Sequence, residues 1–277
     1  MVDNNDFYVR FWGVRGSIAC AGPETVRYGG NTSCLEIRCG EYLLMFDAGT
    51  GFRYLGNALV KEAPIQADLF LTHTHLDHVV GLPFFVPGFN PQNEFRIWAG
   101  HLLPNHTIRE VLGAMMMAPL FPVPLEIFQA KIGFHDFHAG ETIAPKPGVI
   151  VRTAPLNHPN NATGYRIEFN DQSICYLTDT EHNADTPDQK ILDLIEGADI
   201  VIYDSMYTDE TFHGREGWGH STWQEGMRLC DAANVKMFVI FHHDPDHDDG
   251  YMDEVAKEVS QLRPGSIVAQ EGMVLRP

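Results

Sequence analysis

The sequence has 277 residues, of which 44% are hydrophobic and 20% are charged, so its composition is that of a globular protein with a sizeable core. The 37 acidic and 19 basic residues give a formal net charge of −18, which disfavours a nucleic-acid scaffold because an acidic surface repels polyanions. Residues 1–10 lack the apolar centre of a secretory signal, the odd number of cysteines indicates reduced thiols, and no run approaches about 18 apolar residues. We therefore expect a cytoplasmic protein that does not span a membrane.

Strand-length apolar runs dominate the first part of the chain and alternate with helical patterns in the second. The early runs lie at 7–12, 33–39, 42–47, 67–72 and 95–100, and the later ones at 148–153, 164–169, 173–179, 198–204 and 235–241. Helical periodicity occupies 52–61 and recurs between the later strands. Two of the later helices are predicted to begin at Thr186, followed by Pro187, and at Ser221, followed by Gln224 at capping-box spacing.

Residues 101–131 differ from the rest of the chain, because they are rich in Met and Pro and have poor periodicity. Two interpretations stay open. The segment is either an insertion that packs on the core, or a mobile apolar lid or homodimer surface. Since the chain has no repeat, low-complexity linker or charge block, we predict a single domain over residues 1–277.

Acidic or imidazole side chains follow five of the predicted strands. They are Asp47, His73, Asp179, Asp204 and His242. Each residue alone would be interpreted as a cap or a solvated loop position. Together they indicate catalytic groups at one sheet edge, because strand ends are where rigid scaffolds present such groups.

The stretch "FLTHTHLDH" places four potential metal ligands, His73, His75, Asp77 and His78, within six residues. A catalytic zinc ion takes three protein ligands and keeps one position for water, so four donors on one tight loop favour two adjacent ions. Two cations about 3.5–4 Å apart need a bridging anion. The candidates elsewhere in the chain for the bridge and for the additional ligands are His158, Asp179 and His242.

This set of residues resembles the metallo-β-lactamase superfamily of binuclear hydrolases, and the resemblance runs from "FWGVRGS" to "FHHDPDHDD". It implies an α/β (α+β) fold, the αββα sandwich of two mixed β-sheets flanked by helices. It also implies two ion sites joined by one bridging carboxylate. The first site would consist of His73, His75 and His158, and the second of Asp77, His78 and His242. Asp179 would be the bridge. Asp47 corresponds to an aspartate that orients a ligand histidine.

The final histidine cluster, "HHDPDHDD", offers more donors than the implied site needs. By the resemblance, His242 is the ligand, and strand alternation points only one of His242 and His243 inward. His243, Asp244 and His247 are then either neighbours of the site or surface residues.

"WGHSTWQ" resembles the His-Ser-Thr motif of the ribonuclease Z and phosphodiesterase branch, and this implies that His220 protonates the leaving group or holds a phosphate oxygen. Asp204, at the end of "ADIVIYD", would orient or polarise His220. By itself, His220 would be interpreted as a residue preceding a helix start. Enzymes that process tRNA carry a clamping arm between the residues that correspond to His158 and Asp179, and here only 21 residues separate the two.

The short spacing and the acidity favour a small cyclic or linear phosphodiester as substrate and make nucleic acid an unlikely partner. Arg15 and Arg27 are interpreted with equal weight as phosphate contacts or as solvated surface residues. We therefore predict a hydrolase with two divalent metal ions and with Asp77, His220 and Asp204 as catalytic residues. Zn²⁺ is the default ion for imidazole ligands, with Mn²⁺ or Fe²⁺ as alternatives.

Three other functions stay open. The first is hydrolysis of a carboxyl ester, lactone or thioester at the same metal site. The second is an RNA-processing nuclease, and the third is a metal-stabilised sensor without catalysis, in which the His-Ser-Thr motif would have no role.

Overall fold

The structure, a computed structural model, describes residues 6–183 and 186–277. Within these residues, fourteen strands form two mixed seven-stranded sheets. The first sheet contains β1 (Phe7–Gly13), β2 (Cys34–Cys39), β3 (Tyr42–Phe46), β4 (Gln66–Leu71), β5 (Glu94–Ala99), β6 (Lys131–Asp136) and β14 (Val274–Leu275), in the order β14-β1-β2-β3-β4-β5-β6. The second contains β7 (Thr142–Lys146), β8 (Val149–Leu156), β9 (Ala162–Phe169), β10 (Gln172–Leu177), β11 (Ile200–Asp204), β12 (Met237–Phe241) and β13 (Ile267–Val268), in the order β13-β12-β11-β10-β9-β8-β7.

Helices cover the outer faces of both sheets. The α-helices of the described residues are α1 (Gly51–Leu59), α2 (Leu76–Val79), α3 (Ile108–Met115), α4 (Gln189–Ile195), α5 (Asp209–Phe212), α6 (Trp223–Ala232) and α7 (Asp249–Leu262). Apolar residues of α1 and α3 pack with the outer face of the first sheet, and those of α4, α6 and α7 pack with the outer face of the second. The predicted αββα sandwich is therefore confirmed.

The two sheets share one aromatic core. Phe46 of the first sheet lies 5.3 Å from Tyr165 and 6.1 Å from Tyr176 of the second, measured between ring centroids. The Tyr165 hydroxyl crosses between the sheets and donates to the carbonyl of Leu71 at 2.6 Å. A single domain over residues 1–277 stays a prediction, and residues 1–5 and 184–185 of that range lie outside the described part of the chain.

Two predicted helix starts were wrong by one or two residues. Helix α4 has Asp188 as its N-cap instead of Thr186, because the Asp188 carboxylate accepts the backbone N–H groups of Lys190 and Ile191. Helix α6 is capped by Thr222 instead of Ser221. An N-cap needs extended backbone and a side-chain oxygen near the N2 or N3 amide, and residue type alone does not locate that position within a run of several cap formers.

The segment 101–131 contains more regular structure than its sequence indicates. Thr107 and Glu110 form a capping box that starts α3, and the buried Ile108 and Leu112 pack into the outer core of the first sheet. Leu120, beyond the helix, is 82% exposed. Part of this segment therefore belongs to the helical layer, and a lid or a homodimer surface stays a prediction for the remainder.

Within the described residues, every helix is too short or too polar to cross a membrane.

Candidate metal centre

The predicted strand-end residues meet at one edge of the sandwich. Strands β3 and β4 run parallel in the first sheet, and β10, β11 and β12 run parallel in the second. The carboxyl ends of neighbouring parallel strands lie side by side. The five residues predicted for this edge, Asp47, His73, Asp179, Asp204 and His242, are all buried there and connected by the contacts described below.

Three of these residues adopt left-handed backbone conformations. The φ angles are 56° at Asp47, 59° at Asp179 and 63° at His242. For a residue other than glycine, this conformation costs on the order of 1–3 kcal/mol and persists only where surrounding contacts enforce it. Each conformation turns the chain sharply just after a strand has ended. Such strain is concentrated at functional sites, which agrees with these residues forming one.

The first potential ligand group consists of His73, His75 and His158, and their ring nitrogens lie within 4.8 Å of one another. His158 Nε2 is 3.0 Å from His75 Nδ1. Burial lowers the pKa of all three imidazoles. They are therefore held in the neutral form, which is the form that binds a metal ion.

The second group consists of Asp77, His78, Asp179 and His242. His78 Nε2 is 3.2 Å from Asp77 Oδ2 and 3.2 Å from Asp179 Oδ2, and His242 Nε2 is 3.2 Å from Asp179 Oδ2. Burial opposes a charge on His78, but the adjacent carboxylates of Asp77 and Asp179 hold its pKa well above the ordinary value. This cluster of carboxylates therefore attracts positive charge, which a proton or a bound cation can supply.

Asp179 lies between the two groups and presents one oxygen to each. Its Oδ1 is 3.7 Å from Nε2 of His73 and 3.7 Å from Nε2 of His158, whereas its Oδ2 faces His78 and His242. Burial disfavours ionisation of Asp179, but the surrounding imidazoles hold its pKa well below the ordinary value. An ionised carboxylate with its oxygens divided in this way has the form required to bridge two cations.

Hydrogen bonds from outside the groups fix which ring nitrogen faces inward. His78 Nδ1 donates to Asp47 Oδ2 at 2.9 Å, and Tyr176 donates to the same oxygen at 2.8 Å. Thr72 donates to Asp47, which leaves the Thr72 hydroxyl oxygen to accept from His73 Nδ1 at 3.1 Å. Such bonds set the tautomer and orient the ring.

A main-chain carbonyl orients His158 in the same way. Its Nδ1 donates to the carbonyl of Gly219 at 2.7 Å, so Nε2 faces the centre. A Cβ on residue 219 would lie 2.3 Å from this nitrogen, and the φ of Gly219 is +87°. Only glycine allows the backbone to approach the imidazole so closely in this conformation.

The residues present fit a metal site. Nε2 of His73, of His78 and of His242 are buried, and none has a hydrogen-bond partner among the described residues. Buried polar atoms are nearly always satisfied, and here the unsatisfied nitrogens converge beside carboxylates. The imidazole and carboxylate donor set suits Zn²⁺ and related divalent ions.

His220 and Asp204 form a pair beside the two groups. His220 Nδ1 donates to Asp204 Oδ2 at 2.9 Å and lies 3.8 Å from Asp179 Oδ1. Asp204 is held in turn by the backbone N–H groups of Thr180 and Met206, both at 3.2 Å. Burial lowers the pKa of His220, but the carboxylates of Asp204, Asp179 and Asp77 together more than offset it, with Asp204 contributing most, so the pKa is raised to about 9.

Several other predicted residues lie outside the cluster. His243 is buried, and its Nε2 donates to the carbonyl of Ala269, so it points away from the centre that His242 faces. Asp244 and His247 offer their backbone carbonyls to the guanidinium of Arg15.

Both interpretations of Arg15 were wrong, because Arg15 is fully buried and binds three carbonyl oxygens, the third that of Gly29. Arg27 lies at the surface and forms an ion pair with Asp253.

Sequence reasoning missed several groups that position the site. The backbone N–H of Ser17 donates to Asp77 Oδ2 at 2.8 Å. The Tyr176 hydroxyl and the Gly219 carbonyl, described above, also position the site and were also missed. Of these, only Gly219 carried a signal, since it directly precedes His220 in the His-Ser-Thr motif.

Residues 43–243 match the family model described as the β-lactamase superfamily domain, which is well over half of the chain. The chain belongs to the β-lactamase superfamily. The resemblance stated from the sequence is thereby confirmed, and the chain is a hydrolase of the metallo-β-lactamase superfamily.

Relatives and solved structures agree with this membership. A protein named ribonuclease Z from Haloarcula marismortui is 22% identical over 97% of this chain and 96% of its own length. The metallo-β-lactamase fold protein YhfI from Bacillus subtilis is 18% identical, with a TM-score of 0.74 over 97% of this chain and 98% of that one. A diphosphatase of the PhnP family is 19% identical, with a TM-score of 0.72 over 98% of each chain.

These comparisons do not support the expectation that nucleic acid is an unlikely partner, because several relatives in the superfamily carry the name ribonuclease Z.

Proposed function

We propose that the chain is a metal-dependent phosphodiesterase with two divalent ions, most simply Zn²⁺, and a small cyclic or linear phosphodiester as substrate. The observation that carries the proposal is the division of the Asp179 oxygens between two groups of imidazoles, with the His220–Asp204 pair alongside. One ion would be held by His73, His75 and His158. The other would be held by Asp77, His78 and His242, and Asp179 would contact both.

When bound, such a pair of ions makes water nucleophilic near neutral pH and offsets negative charge on phosphoryl oxygens. The chain's own residues orient and protonate the reactants. Asp77, whose Oδ2 is fixed by the Ser17 N–H, accepts a hydrogen bond from the attacking water. The imidazoles of His78 and His158 keep their tautomers through hydrogen bonds to Asp47 and to the Gly219 carbonyl, respectively.

His220 is the proton donor. Its Nδ1 is committed to Asp204, so Nε2 is the nitrogen that can face a substrate. The raised pKa of about 9 keeps the imidazole protonated at neutral pH. A donor of this kind transfers its proton to the leaving alkoxide as the bond from phosphorus to oxygen breaks.

The segment between His158 and Asp179 is short. It consists of β9 and β10, which pair as an antiparallel hairpin closed at residues 170–171. This leaves no room for a clamping arm there, and the net charge of −18 gives no overall attraction for a polyanion. Both observations favour a small substrate.

RNA is the second candidate substrate, because several relatives carry the name ribonuclease Z. An RNA substrate predicts that hydrolysis weakens steeply with salt, since phosphate contacts release counterions. A small phosphodiester predicts a weak salt dependence.

The test is an activity screen with metal content measured on the same sample. The substrates are bis(p-nitrophenyl) phosphate, cyclic and linear nucleotide diesters, a tRNA precursor, and panels of thioesters, lactones and carboxyl esters. We expect turnover of phosphodiesters, and His220→Ala should keep its metal while losing most of that turnover. A His220→Ala variant that works at the wild-type rate contradicts the donor role, and preferential turnover of thioesters or lactones contradicts the phosphodiesterase.

A further inference from the structure

Glu181 lies two residues after the bridging Asp179 and holds the loop 214–219 in place. Its Oε2 accepts the backbone N–H of Gly217 at 2.7 Å and that of Gly219 at 2.8 Å. The loop ends at Gly219, whose carbonyl orients His158, and His220 follows directly. One carboxylate oxygen therefore sets the backbone that serves two functional histidines.

The backbone of Glu181 ties in a third segment. Its N–H donates to the carbonyl of Asn157 at 2.7 Å, and the Asn157 side-chain amide donates to the carbonyl of Glu181 at 2.9 Å. Asn157 directly precedes His158. Glu181 thus connects the segments that carry Asp179, His158 and His220.

The loop depends on such an anchor to keep its shape. Gly214, Gly217 and Gly219 all have positive φ, at 86°, 88° and 87°. Glycine loses more backbone conformational freedom on folding than any other residue. A half-buried carboxylate that fixes two amides of such a loop converts a pliable backbone into a defined position for the Gly219 carbonyl.

We propose that Glu181 is a positioning residue, which through Gly217 and Gly219 sets the orientation of His158 and the placement of His220. It does not itself contact the substrate or an ion. This inference rests on the proposed function, because it assigns Glu181 to the metal ligand and the proton donor named there. Mutation of a residue that orients a metal ligand typically lowers metal affinity or activity 10- to 100-fold. We expect an effect of this order for Glu181.

Two substitutions separate positioning from simple loss of charge. Glu181→Ala removes the acceptor, and we expect kcat/KM to fall about 10- to 100-fold with most of the loss in kcat. Both amides bond to the same oxygen, so the amide oxygen of Glu181→Gln can accept from both. Glu181→Gln is therefore expected to recover activity to within about fivefold of wild type, since neutral hydrogen bonds are weaker than charge-assisted ones.

Glu216→Ala is the matched control. Glu216 is an exposed carboxylate on the same loop, and it contacts neighbours in sequence, the Gly214 N–H and the His213 imidazole. The substitution changes the net charge by the same amount, and we expect activity and metal retention at the wild-type level.

A readout that does not depend on turnover completes the test. In the metal-free protein with ¹⁵N-labelled histidine, His158 should show a protonated Nδ1 in wild type and Glu181→Gln, and should lose this single tautomer in Glu181→Ala. Zinc retention against a chelator should follow the same order. Wild-type behaviour of Glu181→Ala in both tautomer and kcat overturns the inference. An inactive wild type with an intact His158 tautomer overturns the proposed function alone.

Discussion

Asp204→Asn tests how the chain would keep His220, the proposed proton donor, charged. Burial would lower the pKa of His220 below the ordinary 6.5, yet the Asp204 carboxylate at 2.9 Å raises it to about 9. Loss of that carboxylate would return the pKa toward 6.5. The difference of about 2.5 pKa units corresponds to about 3.4 kcal/mol. Because bound cations offset Asp179 and Asp77, which also raise this pKa, the figure is an upper limit.

The magnitude follows from the protonated fraction of His220. At pH 8 a group with a pKa of 9 is about 90% protonated, whereas one with a pKa of 6.5 is about 3% protonated. Asp204→Asn is therefore expected to lower kcat roughly 30-fold at pH 8 but less than about twofold at pH 6 through protonation alone. Because the folded pKa is raised, the charged form is present below it and is lost as the pH rises through it.

The assay is the pH profile of kcat on bis(p-nitrophenyl) phosphate for wild type and Asp204→Asn, each with its metal content measured. We expect the alkaline limb of the variant to move to lower pH. A ratio of wild-type to variant rates that is the same at pH 6 and at pH 8 refutes the argument, because Asp204 would then not control the charge of His220.

Three further predictions concern metal and stability. Removing metal with a chelator should lower the melting temperature by roughly 10 °C in a thermal scan, since an ion at about 1,000 times its Kd adds about 4 kcal/mol, and an unchanged temperature contradicts a native metal site. Asp179→Ala should lose at least one ion by elemental analysis because both groups share this carboxylate, and full metal content in the variant argues against the bridge. Arg15→Met should destabilise the fold by about 3–5 kcal/mol in urea titrations, because it leaves buried carbonyls without a donor. Arg27→Met, which removes an exposed arginine, is the control and should leave the urea midpoint nearly unchanged.

The residues at the strand ends could be predicted because their signal is local. A continuous apolar run of strand length followed by an aspartate or histidine marks a strand that presents a polar group at its end. Asp47, Asp179 and His242 were found in this way. The four donors of "HTHLDH" needed no long-range information either, since one loop carries them all.

The contacts that complete the site could not be predicted, because they join distant parts of the chain. Tyr176 reaches Asp47 across 129 positions, and Gly219 reaches His158 across 61. No local pattern encodes a contact between residues so far apart in the sequence. The same reason explains the error at Arg15, since its glycine-flanked motif is typical of an exposed loop and gives no indication of the carbonyls at 244 and 247 that enclose the guanidinium.

The left-handed backbone at the site was also invisible in the sequence. Asparagine, aspartate and histidine tolerate positive φ better than other residues, but the conformation is uncommon even for these types, and Asp47, Asp179 and His242 all adopt it. Such conformations are imposed by the surrounding fold and oppose local preference. Local reasoning is least informative at positions of this kind, which are concentrated in functional sites.

Anomalous diffraction at the zinc absorption edge, from crystals grown with Zn²⁺, tests the central claim most directly. We expect two peaks separated by about 3.5–4 Å, one among His73, His75 and His158 and the other among Asp77, His78 and His242, with an oxygen of Asp179 facing each. A map without peaks at this position, or with peaks only at surface histidines, contradicts the account.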